Sequence, residues 1–226
     1  MDVAYLIYLL IQAAALILGL CVHESTHALA AWALGDKTAR SRGRVSLNPL
    51  AHIDPFGTVL LPLIMIVLGG PVFAFAKPVP VYLGNLKHPK RDEVLVALAG
   101  PLSNIALSCI ATALLAALGQ MTIPSTEWFR VIYYVADFLQ VLMLVNLSLA
   151  FFNLIPLPPL DGSSILVPFL KGEALNTYYQ IQRYAMPILI IVLYLLPQIL
   201  HIDLVGLYFN VTVYPLFDLL QGLALG

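Results

Sequence analysis

The sequence predicts an all-α polytopic membrane protein, and three observations predict it. Of its 226 residues, 61% are apolar and 10% are charged, against about 25% charged in an ordinary soluble domain. Mean hydropathy is +0.92. The few charges are also clustered, and the gaps between them have crossing length, since a hydrocarbon core about 30 Å thick takes about 20 helical residues. These features exclude a disordered chain and a disulfide scaffold. Eleven Lys and Arg balance twelve Asp and Glu for a net charge of −1, so no nucleic-acid partner is implied. Cys21 and Cys109 both fall in apolar sequence and read as buried free thiols.

In chain order, the uncharged stretches are 3–22, 57–76, 94–126, 138–160, 184–202 and the shorter 204–217. The first is too long for a signal peptide's apolar region and has neither a basic flank nor a small-residue cleavage site, so it is expected to stay as a span. The expectation is about five to six hydrophobic helical segments in one intramembrane domain over 1–226. Its catalytic core covers about 3–170, with C-terminal membrane helices at 184–222. Basic residues gather at Lys37, Arg40, Arg42 and Arg44, at Lys77, Lys87, Lys90 and Arg91, and at Lys171 and Arg183. The positive-inside tendency puts all three groups on the cytoplasmic side of a cell membrane. The pieces 44–48 and 78–82 alternate β-branched residues, the second with prolines, and are expected to be short extended strands on that side.

The chemistry begins where the first span runs into His23-Glu24-Ser25-Thr26-His27. Residues 23 and 27 are one helical turn apart, so both imidazoles leave one face and can share one metal ion, with Glu24 beside them as general base. The bland alternative is a pair of core histidines. At membrane depth it costs several kcal/mol, because an ionisable group there must be paired or used. A catalytic zinc site takes three protein ligands. The candidates for the third are His52, Asp54, Asp137, Asp161, His201, Asp203 and Asp218. Asp161 stands out because Pro156, Pro158 and Pro159 forbid a regular helix before it and Gly162 allows a sharp turn after it. On spacing alone, it reads equally as a ligand and as a loop carboxylate.

Three blocks resemble the site-2 protease family of intramembrane zinc metalloproteases: His23-Glu24-Ser25-Thr26-His27, Ala99-Gly100-Pro101-Leu102-Ser103-Asn104, and Asn153 through Gly162. The stretch 43–58 resembles compact bacterial members, which carry no PDZ or CBS module. The resemblance implies a single Zn2+ held by His23, His27 and Asp161, with Glu24 catalytic. It implies a transmembrane protein substrate within a lipid bilayer. It marks Asn153 as a substrate or oxyanion contact. Asn104 and His52 are further substrate or oxyanion candidates, and His52 is also the reserve ligand. The competing readings are a divalent-metal transporter and a catalytically silent membrane scaffold.

Topology follows from parity. If 57–76, 94–126 and 138–160 all crossed, Asp161 would emerge opposite the histidines. One of them must fail to cross. Pro62 and Gly69-Gly70-Pro71 make 57–76 the expected re-entrant or broken segment, and the Ala99-Gly100-Pro101 corner is the alternative. An unwound substrate strand could pair with the extended pieces near Val45 and Val79.

Overall fold

A computed structural model describes residues 3–60, 64, 76–121 and 125–226. Its first element, α1 (Val3–Ala33), runs 31 residues, about 46 Å at 1.5 Å per residue, and so exceeds a hydrocarbon core. It stops at Gly35, whose φ of +119° is open to glycine at little cost. A single turn, α2 (Thr38–Ser41), follows. Next come a 3-10 turn at Pro49–Ala51, a wide π turn at Pro55–Leu60 and a 3-10 turn at Leu83–Asn85.

The second long helix, α3 (Pro89–Gly119), starts with proline at its first position, where the missing N–H costs nothing. The Asp92 carboxylate accepts the His88 backbone N–H at 2.8 Å. The third, α4 (Thr126–Asn153), ends just before Pro156, Pro158 and Pro159. Among the described residues, three helices are long and apolar enough to cross a membrane: Val3–Ala33, Pro89–Gly119 and the Trp128–Asn153 part of α4.

These three pack on one another, with α3 against α4 the most extensive contact. Their apolar core is Ala15 of α1, Ala111 and Leu115 of α3, and Leu139, Leu142 and Met143 of α4. Ala224 closes it from α8 (Leu204–Leu225), which lies against α3 and α4. Small residues let the backbones approach, and hydroxyls join them: the Ser108 Oγ donates to the Met143 carbonyl at 3.0 Å. The outer faces carry exposed apolar side chains such as Leu10, Leu102, Leu114 and Val211, as a surface solvated by lipid does. Cys21 is buried as expected, but Cys109 is exposed. It lies on the stripe of Leu102 and Ala106 that turns away from the core.

Other expectations are corrected. Stretch 184–202 is helical but not one α-helix of crossing length. It passes from a 3-10 turn (Gln182–Tyr184) to α6 (Ala185–Ile190), a π segment (Ile191–Leu195) and α7 (Leu196–Leu200). Pro187 and Pro197 each remove the hydrogen bond to the carbonyl four residues earlier, at Arg183 and Leu193, where the pitch is irregular. Stretch 204–217 is the start of a longer helix, since α8 continues through Asp218. No strand occurs among the described residues. Around 44–48 and 78–82, side chains take up the backbone groups that a ladder would use. Arg44 donates to the Lys77 carbonyl, and Asp36 accepts the Tyr82 N–H at 2.7 Å.

The expected re-entrant segment 57–76 lies outside the described residues except at 57–60, 64 and 76. Its flanks meet: the Lys77 N–H donates to the His52 carbonyl at 2.8 Å.

Candidate metal centre

The site is assembled by α1, α3 and the segment after α4. One turn of α1 delivers His23 and His27, which are 4% and 6% exposed. Against them lies Gly100 of α3. A Cβ there would come within 2.6 Å of His23 Cε1 and Nε2 and closer still to His27 Nε2, so the imidazoles occupy the space that a side chain would fill. Asp161 opens a 3-10 helix, Asp161–Phe169. Gly162 seats that helix against the end of α4, since a Cβ would strike the backbone of Leu154 and lie 2.7 Å from the Ile155 carbonyl.

Three donor atoms converge. His23 Nε2 lies 3.0 Å from His27 Nε2. Asp161 Oδ2 lies 3.1 Å from His23 Nε2 and 3.3 Å from His27 Nε2. Among the described residues, His23, His27 and Asp161 form a group that could hold a metal ion. The far nitrogens decide how the rings are protonated. His27 Nδ1 donates to the Val96 carbonyl at 2.7 Å, and His23 Nδ1 donates to Asn104 Oδ1 at 2.5 Å. With both Nδ1 protonated in the neutral rings, both Nε2 lone pairs face one another and a carboxylate oxygen. Such a cluster repels itself unless a proton or a metal ion sits in it. Zinc with bonds of about 2.0–2.1 Å in tetrahedral geometry puts its ligand atoms about 3.3–3.4 Å apart. The observed spacings are close to that, so the donor set fits zinc.

Glu24 and the three donor residues line one cavity of about 600 Å³ with Asn153. Its walls are largely apolar, including Leu20, Val79, Val81 and Phe152. Glu24 Oε2 lies 4.0 Å from Arg44 Nη2. Arg44 is 5% exposed, and its guanidinium also donates to the carbonyls of Ala51 and Lys77. Burial lowers the Arg44 pKa, and the Glu24 charge opposes that. At another wall, the Tyr179 hydroxyl of α5 (Glu173–Ile181) donates to Glu93 at 3.0 Å. Burial and then the Glu93 charge push the Tyr179 phenol up to about 12, so it stays a donor at neutral pH.

The other sequence candidates lie outside the metal group. Asn153 is on the cavity wall, its amide donating to the Leu149 carbonyl at 2.9 Å. Asn104 is fully buried behind His23 and is not among the cavity residues. His52 is 2% exposed, with Nε2 at 2.6 Å from the Ser46 carbonyl, and lies outside the metal group. Asp54 makes a turn, accepting the N–H groups of Phe56 and Gly57 at 3.0 and 2.7 Å. Asp203 caps α8 through the Gly206 N–H at 2.8 Å. Sequence reasoning missed Arg44 as the neighbour of Glu24, and Asn146 behind Asn104. Both were visible only as a loop cation and a mid-helix amide.

Long apolar helices around a His-Glu-x-x-His turn and a carboxylate are the features of a membrane zinc metalloprotease. The profile of peptidase family M50 matches residues 11–196. YwhC of Bacillus subtilis, named as a candidate zinc metalloprotease, is 36% identical over 182 residues, covering 80% of this chain and 78% of its own. Rip2 of Mycobacterium tuberculosis H37Rv, named likewise, is 35% identical over 203 residues, 90% of this chain and 71% of its own. No solved structure matches the chain. The chain belongs to peptidase family M50, the site-2 protease family, and is a zinc metalloprotease.

Proposed function

We propose that the protein hydrolyses a peptide bond in or beside the transmembrane segment of a membrane-protein substrate, as one intramembrane catalytic domain. The observation that carries this is the convergence of His23 Nε2, His27 Nε2 and Asp161 Oδ2 on the wall of an apolar cavity that also holds Glu24. His23, His27 and Asp161 hold the ion. When bound, zinc supplies Lewis acidity toward the scissile carbonyl and makes water nucleophilic near neutral pH.

Glu24 takes a proton from the water whose oxygen attacks the carbonyl carbon. The same carboxyl returns that proton to the amine nitrogen as the C–N bond breaks. Asn153, one proline-rich segment before Asp161, steadies the substrate backbone or its developing oxyanion. A helix hides its carbonyls in its own hydrogen bonds, so the substrate must unwind to enter. The apolar walls suit such a segment. The basic residues near the end of α1 support an active site toward the cytoplasmic side of a bacterial cell membrane.

The test is cleavage of a single-span substrate by purified protein, with and without a chelator, beside Glu24→Gln. The expected result is metal-dependent cleavage that Glu24→Gln abolishes while one zinc per chain remains. Cleavage by Glu24→Gln would refute the role of Glu24. Metal-gated ion flux without any cleavage would favour a transporter.

A further inference from the structure

Behind His23, away from the cavity, runs a directional chain of buried amides. The Asn146 Nδ2 of α4 donates to the Leu142 carbonyl of its own helix at 2.8 Å. That bond turns the Asn146 Oδ1 toward α3, where it accepts Asn104 Nδ2 at 2.7 Å. Asn104 Nδ2 also donates to the Gly19 carbonyl of α1 at 3.1 Å. With its amide nitrogen committed to two acceptors, Asn104 can present only its oxygen to His23, and His23 Nδ1 lies 2.5 Å from it. Both asparagines are fully buried.

We infer that Asn104 and Asn146 are positioning residues for the metal ligand His23: together they hold its proton on Nδ1 and aim the Nε2 lone pair at the metal. The inference rests on the reading of His23 as a zinc ligand. The physical reason is that a neutral imidazole has two tautomers, and only one ligates through Nε2. Water fixes nothing in so buried a place. Partners on the second ring nitrogen of a ligating histidine typically change metal affinity by about 10–100-fold. The third helix matters because an amide facing one acceptor could rotate. Asn146 removes that freedom through an oxygen whose direction α4 sets from Leu142. His27 needs no such device, because its Nδ1 meets a backbone carbonyl, which can only accept.

The test is Zn2+ affinity by chelator competition on the purified full chain, with thermal unfolding of the metal-free form measured beside it. Asn104→Ala is expected to weaken zinc about 10–100-fold. Asn104→Asp keeps an acceptor on His23 Nδ1 but sets its second oxygen against the Asn146 Oδ1 and the Gly19 carbonyl, so it is expected to lower metal-free stability yet weaken zinc less than Asn104→Ala. Asn146→Ala is expected to weaken zinc less, by about tenfold, and carries the test if Asn104→Ala fails to fold. Two results would overturn the relay: native affinity in both alanine variants, or equal losses in Asn104→Ala and Asn104→Asp that track metal-free stability. His23→Ala separates the two levels. If it keeps full zinc affinity, the metal-site reading itself fails. If it loses zinc while the asparagine variants do not, only the relay fails.

Discussion

At the scale of residues, the site divides into what a short spacing can show and what it cannot. His23, Glu24 and His27 were legible because the turn that joins them is local. Asp161 is 138 positions from His23, and its approach to the histidines was expected only through the family's proline-rich block. Asn146 and Asn104 are 42 positions apart, and nothing in an isolated asparagine says which way its amide points. Gly100 belongs with them. Its role is to be absent where the imidazoles lie, and sequence marks it only as the corner before Pro101. Gly100→Ala should therefore act on the metal site. The new methyl meets both rings, and overpacking of a buried contact costs about 1–3 kcal/mol. Zinc bound per chain should fall well below that of the native protein at equal free metal, while α1 and α3 stay helical by circular dichroism. Unchanged zinc stoichiometry would show that the rings can move aside.

At the scale of elements, the long helices were legible and the pieces between them were not. Each of α1, α3 and α4 overlaps an uncharged stretch, but α3 starts at Pro89 and α4 at Thr126, each ahead of charged residues that the gaps left out. The extended pieces read as strands because β-branched alternation is all that sequence offers there. A strand also needs a partner, and here the backbone groups are met by side chains. Asp36, just past the end of α1 and fully buried, is the clearest case. It accepts Thr38 N at 3.0 Å, Thr38 Oγ1 at 2.5 Å, Tyr82 N at 2.7 Å and Asn85 Nδ2 at 2.9 Å. Burial alone would raise its pKa, but the donors from Asn85, Thr38 and Tyr82 prevail and lower it to about 2. A carboxyl depressed in the folded state gives stability that is present above its unfolded pKa near 3.9 and lost as pH falls toward 2. The stabilisation is of the order of 2 kcal/mol. Asp36→Asn should lower the melting temperature at pH 7 and flatten the loss of stability between about pH 4 and 2. An unchanged acid limb would mean that other carboxylates dominate it.

At the scale of the whole molecule, parity of crossings is the quantity that matters, and two hydrogen bonds bear on it. Asp36 and Tyr82 are bonded, as are His52 and Lys77, so the chain leaves and returns at one end of the bundle whatever path it takes between. The count of five to six hydrophobic helical segments was less legible, and three helices of crossing length occur among the described residues. Prolines inside 184–202 change helical pitch without adding charge, and charge gaps cannot register that. Single cysteines at 37 and 87, in a background without Cys21 and Cys109, should react with an impermeant reagent from the same side of sealed vesicles. Reaction from opposite sides would break the Asp36 junction and the parity argument with it.

The length of α1 carries a last consequence. His23 lies 20 residues after Val3, about 30 Å along the axis, and Tyr5 and Tyr8 are exposed near the start, where aromatic rings anchor helices at an interface. The histidine pair thus begins about 22–27 Å from those rings, a little short of one hydrocarbon thickness. Acyl chain length then becomes a variable of the chemistry: thicker bilayers draw the pair into the oil and thinner ones expose it to the headgroups. Reconstituted in lipids of graded chain length, the protein should cleave fastest at the thickness that keeps the pair just inside the far interface and more slowly on either side.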